Sequence, residues 1–250
     1  MSSAPTSSIS NAKKVGIAVG ICIIVLLAIG SLTLISAWWK WNSTPQYWLK
    51  NQAYLQKTDA ATLTAVAEDL EGRLSYQISA PPNPNQPIQA EQVAISFDEI
   101  NAWLNSRADS WLLYKGYEKP NNLGAMMMDR EGDNLVVAFS VDANGTTQVF
   151  SILFNLRMRP DGQADLTIIG LRGGTQSIPL SLLESQIEDT INNMPEDIDS
   201  ASTETLKQIM AGSLTFQPQW AIDRRRNMNV KDIKLTDTGL LFTVQQSPRP

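Results

Sequence analysis

The chain contains no histidine and a single cysteine, Cys22. Without histidine, the Ser-His-Asp and Cys-His nucleophile systems and the common zinc ligand sets cannot be assembled from this chain. Acid–base catalysis by imidazole is excluded for the same reason. One cysteine cannot form a disulfide within one chain, so the folded part must be held together by packing. Carboxylates, lysine, tyrosine and serine are the side chains that remain for catalysis.

Neighbouring carboxylates are the strongest catalytic candidates among these. A glycan hydrolase needs two carboxyl groups about 5–10 Å apart across a cleft. Each group of acidic residues here falls on the polar face or in the first turn of a predicted helix, where it is solvated or interacts favourably with the helix dipole. The sequence therefore predicts a protein that is not an enzyme, with no catalytic, cofactor-binding or metal-binding residue. The acidic groups concerned are Glu68, Asp69 and Glu71; Asp98 and Glu99; and Glu184, Glu188 and Asp189.

Charged residues are also missing from residues 15–39. A helix of this length measures about 37 Å at 1.5 Å per residue and can cross a bilayer core of about 30 Å. The alternative is a cleaved signal peptide that begins with Lys13 and Lys14, but its apolar core would exceed the usual length of about 7–15 residues and no A-x-A site follows. Aromatic rings that prefer the headgroup level follow the segment, and we predict them as membrane-interface anchors: Trp38, Trp39, Trp41, Tyr47 and Trp48.

The basic residues around this segment predict its orientation. Lys13 and Lys14 precede it, while Lys40 and Lys50 follow, so the positive-inside bias is nearly balanced. A short basic tail before a long apolar segment favours a cytoplasmic N-terminus and an extracytoplasmic C-terminal domain. We therefore expect a single-pass protein of the cell membrane, with membrane lipid as a partner of its anchor.

Other partners are predicted from glycine spacing and charge. Gly16 and Gly20 form a G-x-x-x-G pattern that favours a weak homodimer within the membrane. The net charge of −5 repels nucleic acid phosphates, so no nucleic acid partner is expected. A run of arginines is the local exception and is a candidate contact for an anion or a protein partner: Arg224, Arg225 and Arg226.

The rest of the chain divides at a segment with four prolines between residues 81 and 87. Before it, Thr44 and Pro45 predict the start of a helix that reaches Lys57, and a second helix is predicted from Asp59 to Leu74. The segment itself is typical of a semi-rigid linker. The predicted units are a disordered cytoplasmic tail (1–12), a transmembrane anchor (13–41), juxtamembrane helices (42–79), a linker (80–91), an extracytoplasmic domain (92–246) and a tail (247–250).

The domain is predicted to be α+β, with one antiparallel sheet of about five to seven strands packed on two or three helices. After Asn121 the apolar residues recur with period two, and the turns carry glycine, asparagine and aspartate. In the strand around Phe150 to Phe154 one face is apolar, which predicts a sheet with one buried face. Gly170 to Thr175 is interpreted as a strand-to-helix turn, followed by a helix from about Leu180 with Ile178 in its apolar stripe. Another helix is predicted near residues 203–211, and the last strands are predicted to form a hairpin.

The segment AISFDEINAWLN predicts where the first helix of this domain begins. Ser96 and Glu99 have the spacing of a capping box, and Ile95 and Ile100 that of a hydrophobic staple. Glu99 is thereby assigned a structural role. Asn101 has no role that the pattern explains.

These motifs resemble a group of uncharacterised bacterial single-pass proteins with an exported α+β domain. The matching stretches are the helix start at Ile95 to Leu104, the Gly174 to Leu180 lead into a second helix, and the hairpin Val230 to Leu240, which departs in having Thr238 before Gly239. The resemblance implies an exported domain, and some similar proteins are suspected of binding lipid. It implies no catalytic residue.

Three functions remain open from the sequence. The first is a membrane-anchored extracytoplasmic domain that binds a lipid, another apolar ligand or an envelope partner. The second is a structural or assembly protein of the cell envelope that acts through protein–protein contacts. The third is the carboxylate-based glycan hydrolase.

Overall fold

A computed structural model describes most of the chain after the uncharged N-terminal segment. The described residues are 43–79, 90–114, 116, 118–143, 145–179, 208, 212–222 and 226–248. Among these residues, no helix is both long enough and apolar enough to cross a membrane. The predicted tail, anchor, G-x-x-x-G pattern and most of the proline-rich segment lie outside the described residues, as does the helix predicted from about Leu180.

The described residues form four helices in addition to the strands. They are α1 (Gln46–Lys57), α2 (Ala60–Ser79), α3 (Phe97–Ser106) and α4 (Ala108–Tyr114). The two helices predicted before the proline-rich segment are both present. The start of α1 differs from the prediction, because Thr44 does not cap α1 and Pro45 stands at the N-cap without a side-chain hydrogen bond. At α2, Asp59 accepts from the Thr62 backbone N–H and hydroxyl, and these hydrogen bonds, the backbone one first, lower the pKa of Asp59.

The strands form two antiparallel sheets, where the sequence predicted one. The bounds of the strands are β1 (Glu91–Ser96), β2 (Leu123–Glu131), β3 (Asn134–Ala143), β4 (Thr146–Met158), β5 (Ala164–Gly173), β6 (Gln176–Ile178), β7 (Ser213–Phe216), β8 (Gln219–Ala221), β9 (Arg226–Leu235) and β10 (Gly239–Pro248). The six-stranded sheet has the order β2-β3-β4-β5-β6, and β7 pairs with the first residues of β5 on the same edge as β6. The four-stranded sheet has the order β1-β10-β9-β8. The α+β class is confirmed, as are the strands predicted after Asn121, the first of which are β2 to β5.

The six-stranded sheet is covered on both faces, which corrects the expectation of one buried face. On one face, Phe139, Ile152 and Leu171 pack beneath α3 and α4 with Trp103 and Ala108. On the other face, Val136, Ala138, Val149 and Leu153 pack with Trp48 of α1. The sequence does not predict this second covering, because the proline-rich segment separates α1 from the strands along the chain.

The loop Gly173 to Gln176 also differs from its prediction. It joins β5 to β6 as a strand-to-strand turn, and the Gly174 N–H donates to the Val149 carbonyl at 2.7 Å. Ile178 therefore belongs to a strand, where it is buried against the α3–α4 face, and not to the stripe of a following helix.

The two sheets meet around the first turn of α3. Phe97, Leu135 and Leu240 form a buried cluster that contains one residue from α3, one from the six-stranded sheet and one from the four-stranded sheet. Leu74 of α2 packs on the four-stranded sheet against Val93 and its neighbours. The helices predicted as juxtamembrane thus pack against the strands of the predicted extracytoplasmic domain.

Candidate functional site

The contacts that fix α1 to the six-stranded sheet combine a buried apolar cluster with a buried network of hydrogen bonds. We call them the α1 docking site, defined by Tyr47, Trp48 and Asn51 and the groups they touch. These three residues lie on one face of α1 because residues three or four apart in a helix are neighbours. The site decides how the chain that follows the predicted membrane span is attached to the strands.

Trp48 is the apolar centre of the α1 docking site. Its side chain is 4% exposed and packs on Met127, Val136 and Leu153. An indole buried in this way cannot sit at the headgroup level of a bilayer, so the prediction of an interface role is wrong for Trp48. Trp38, Trp39 and Trp41 lie outside the described residues, and for them the prediction stands untested.

Tyr47 uses its hydroxyl within the protein. The hydroxyl donates to Ser151 Oγ at 2.7 Å, and Ser151 is buried in β4. Burial raises the pKa of Tyr47, despite the opposing effects of the Ser151 hydrogen bond and Arg172. The phenol therefore stays protonated near neutral pH and keeps its donor role. Arg172 in turn pairs with Glu131, so a cation and an anion lie beside the ring.

Asn51 connects α1 to two other elements in the interior. Its Nδ2 donates to Asp129 Oδ2 of β2 at 2.9 Å and to the Tyr47 carbonyl at 3.0 Å. Its Oδ1 accepts from Asn101 Nδ2 of α3 at 3.0 Å. Asn51, Asp129 and Asn101 are all buried. Because the buried amide of Asn51 has both its donor and its acceptor satisfied, it orders α1, α3 and β2 against one another.

Asn101 supplies the role that the sequence did not reveal. Its Nδ2 also donates to the Met128 carbonyl at 3.0 Å, and its Oδ1 accepts from the Met128 N–H at 2.6 Å. One turn later, Asn105 makes the same pair of contacts with the backbone of Met126. The two amides therefore satisfy the outer edge of β2 as a neighbouring strand would, which protects an edge that could otherwise pair with another chain.

The start of α3 agrees with its prediction. The Ser96 N–H donates to Glu99 Oε2 at 2.7 Å and the Glu99 N–H donates to Ser96 Oγ at 3.2 Å, which completes the capping box. Arg73 of α2 forms an ion pair with the same carboxylate. Burial acts to raise the pKa of Glu99, but the hydrogen bonds from Ser96 and the charge of Arg73 outweigh it, and the pKa is lowered.

The hairpin between β9 and β10 supports the same helix start. The Phe97 N–H donates to the Thr238 carbonyl at 2.8 Å, and Ser96 pairs with Gly239. A Cβ on Gly239 would lie 2.1 Å from the Ile95 carbonyl oxygen, so only glycine fits there. Two stretches that the sequence singled out separately, Ile95 to Leu104 and Val230 to Leu240, are thus brought into contact.

The predicted carboxylate groups do not face each other across a cleft in the described residues. On α2, Glu68 pairs with Arg107 at 2.5 Å and Glu71 accepts from Trp103 Nε1 at 2.7 Å. These contacts, with that of Glu99, attach α2 to α3. Glu184, Glu188 and Asp189 lie outside the described residues.

A small pocket lies between the two sheets, lined mainly by leucine and isoleucine. Its volume is about 20 Å³, which is enough for roughly one water molecule. Ligand sites for drug-sized molecules usually measure about 300–1,000 Å³. This pocket is therefore packing space between the sheets and cannot hold a lipid. Its lining residues are Asp133, Leu135, Leu156, Ile233, Leu235 and Leu240.

Of the three arginines predicted as a candidate contact, one lies within the described residues. Arg226 begins β9 and its Nη1 donates to Gln246 Oε1 at 3.1 Å, while Arg224 and Arg225 lie outside the described residues. The sequence does not predict the buried contacts of Asn51 and Asp129, and it does not explain Asn101. For Asn101 a signal was available, because it lies one helical turn from Phe97 on the apolar face of α3, where an amide requires a partner.

Comparison with known proteins adds no assignment. No protein-family model, no curated protein and no solved structure matches this chain.

Proposed function

We propose that this chain is a single-pass membrane protein whose extracytoplasmic domain is not an enzyme and acts by binding a protein of the cell envelope. The observation that best supports this is the α1 docking site. Helix α1 begins at Gln46, close behind Trp39, which ends the uncharged segment. The few residues between them span at most about 25 Å. Since α1 is fixed to the strands, the domain is held near the bilayer with limited freedom to rotate.

Such attachment favours contact with another membrane-bound protein. A domain on a long flexible linker searches a large volume, whereas a short attachment confines it and raises its effective concentration towards neighbours at the same height. The buried Trp48 and Asn51 would have little purpose in a free stalk. Their burial supports a domain that presents its surface at a defined height and angle.

The state of the acidic side chains supports binding over hydrolysis. Glu68, Glu71 and Glu99 each contact a partner that attaches α2 to α3. A general acid in a glycan hydrolase needs a raised pKa, whereas the pKa of Glu99 is lowered. We therefore rank the glycan hydrolase last.

The pocket between the two sheets is too small for a lipid, which argues against a lipid bound at that place. A lipid cleft between the sheets would need far more than the 20 Å³ present there. Both faces of the six-stranded sheet are occupied by side chains from α1, α3 and α4. We therefore propose an envelope protein as the binding partner, and an apolar ligand as the second candidate.

Photo-crosslinking in the native membrane tests the proposal. A photoreactive phenylalanine derivative is placed in the full chain at Tyr76 of α2, at Lys231 of the four-stranded sheet, or at Asp161 in the β4–β5 turn, which are all exposed. We expect one of these surfaces to give a reproducible protein adduct and the others to give little. The absence of protein adducts from all three, together with stoichiometric lipid in the purified chain, would refute a protein partner in favour of the lipid function.

A further inference from the structure

Helix α4 combines a buried side with a strongly exposed apolar side. Ala108 and Leu112 are buried against the protein. Leu113 and Tyr114 are 66% and 83% exposed, and Trp111 is 36% exposed with its ring edge-to-face on Trp103 at 6.2 Å. A contiguous apolar surface that is exposed in this way is typical of a site that contacts a membrane or another protein.

The position of α4 along the six-stranded sheet follows from the two asparagine contacts. Asn101 is hydrogen-bonded to Met128 and Asn105 to Met126, so α3 runs antiparallel to β2 and its C-terminal end lies towards the start of β2. Helix α4 continues this path and packs through Ala108 near Leu123. It therefore lies at the end of the sheet where β2 begins.

The chain arriving from the predicted membrane span meets the same end of the sheet. Leu123 pairs with Val141, which pairs with Gln148, so the start of β4 lies in this row. The turn after β5 is bonded to the adjacent Val149, and Thr175 in that turn contacts Ser43 through its hydroxyl. Ser43 is the first described residue. One end of the sheet thus carries both α4 and the attachment to the N-terminal segment.

We propose that this end of the six-stranded sheet faces the bilayer, with Leu113 and Tyr114 inserted at the level of the lipid headgroups. This inference rests on the membrane anchor of the proposed function and adds a second contact with the membrane, made by the folded domain. Tyrosine suits the headgroup level because its ring is apolar and its hydroxyl can remain hydrated. The nearby carboxylate of Asp109 pairs with Lys119 at 3.1 Å, which reduces its repulsion from anionic headgroups.

Two points of attachment to the membrane fix the orientation of the domain relative to the bilayer, whereas one point does not. The span and α1 limit the distance between the domain and the bilayer, and contact through α4 would also fix the tilt of the strands. The β9–β10 turn then points away from the membrane. Asp237 in that turn, whose side chain is 93% exposed, lies beside Arg130 at the opposite end of β2 and provides a matched control position.

Depth-dependent quenching on the full chain in lipid vesicles tests this orientation. In a Cys22→Ser background, Leu113→Cys or Asp237→Cys is labelled with an environment-sensitive nitrobenzoxadiazole dye. The vesicles contain phosphatidylcholine and phosphatidylglycerol, with or without lipid that carries a nitroxide near the headgroup. We expect several-fold stronger nitroxide quenching and a blue-shifted emission at position 113, and neither change at position 237.

The outcomes separate this inference from the function on which it depends. If alkaline carbonate leaves the chain in the vesicles and both positions are quenched equally weakly, the inference is wrong and the anchor stands. A blue shift at position 113 without quenching would mean that protein covers α4, which also overturns the inference. Release of the chain by carbonate would overturn the membrane anchor and this inference together.

Discussion

Helices α1 and α2 both precede the proline-rich segment, yet they are attached to the protein in different ways. Helix α1 contacts the six-stranded sheet through buried groups, with Trp48 in an apolar cluster and Asn51 bonded to Asp129. Helix α2 contacts α3 through charged groups, of which the half-buried pair of Arg73 with Glu99 is an example, and α2 also carries a stripe of apolar residues that includes the buried Leu70.

The comparison shows that the number of polar contacts does not predict how much they contribute to the free energy of unfolding. When a buried polar group loses its partner, neither water nor another protein group replaces the hydrogen bond, and this costs about 1–3 kcal/mol. An exposed ion pair can exchange its partner for water and is worth about 0–1 kcal/mol. We therefore expect α1 to be sensitive to single substitutions in its polar and aromatic contacts, and α2 to tolerate the loss of individual ion pairs.

Replacing Trp48 should have the largest effect. Trp48→Ala removes the centre of the apolar cluster and leaves a cavity, so the free energy of unfolding should fall by about 3–5 kcal/mol. Chemical denaturation of the detergent-solubilised chain, followed by far-ultraviolet circular dichroism, measures it. Leu49→Ala is the matched control, because Leu49 is 52% exposed and should change little. Equal effects of the two substitutions would contradict the buried role of Trp48.

Replacing Asn51 tests the polar part of the same attachment. Asn51→Leu leaves the Asp129 carboxylate and the Asn101 amide each without one partner, and should lower the free energy of unfolding by about 2–3 kcal/mol. The adjacent exposed residue provides the control, since Gln52→Leu also replaces an amide side chain by leucine, but without a buried partner. If the two variants unfold at the same denaturant concentration, the buried network does not stabilise the fold.

Replacing Arg73 should have a smaller effect. Arg73→Met removes the ion pair with Glu99 and a hydrogen bond to the Ala94 carbonyl at 2.7 Å, and should lower the free energy of unfolding by about 1 kcal/mol. The loss should shrink as salt concentration rises, because salt screens exposed charges. A double-mutant cycle with Glu99→Gln isolates the pair. A loss as large as that of Asn51→Leu, insensitive to salt, would mean that α2 is attached as α1 is.

The smallest expected effect is a change in pH dependence. The pKa of Glu99 is lower in the folded chain than its ordinary value, so the folded state favours the carboxylate. Its contribution to stability is present above the ordinary value of about 4.3 and is lost as the pH falls through the lowered pKa. Unfolding curves recorded at several pH values give the free energy of unfolding. As the pH is lowered from about 6 to about 3, this free energy should fall less steeply for Glu99→Gln than for the unchanged chain. Parallel curves would show that Glu99 gains nothing from its partners.

Local signals predicted the parts of the fold that depend on neighbours in sequence. The capping box of Ser96 and Glu99 involves one helical turn, and the strands β2 to β5 are joined by short turns, so spacing and composition were enough. The positions of α1 and α2 required knowledge of distant contacts. Nothing near Trp48 distinguishes a ring that is buried under a sheet from one that lies at a membrane surface, because both uses place an aromatic residue shortly after an apolar segment.

The second sheet and the candidate site were missed for a related reason. Strand β1 pairs with β10, and Asn51 meets Asp129, across long stretches of chain that no local pattern joins. The prolines near residue 84 suggested a boundary between units, although the chain on both sides of them packs together. The apolar-face position of Asn101 was visible in the sequence, but its partner, the edge of β2, was not.

The pairing of β1 with the hairpin of β9 and β10 also determines when this fold can be completed during synthesis. Residues 91–96 emerge from the ribosome long before Gly239 and Thr238, which are the groups that pair with Ser96 and accept from Phe97. The four-stranded sheet cannot close until β10 has been made, and contacts between such distant residues form slowly. Until then β1 presents an unpaired edge, so a ribosome that stalls before residue 239 holds a chain that is prone to aggregation.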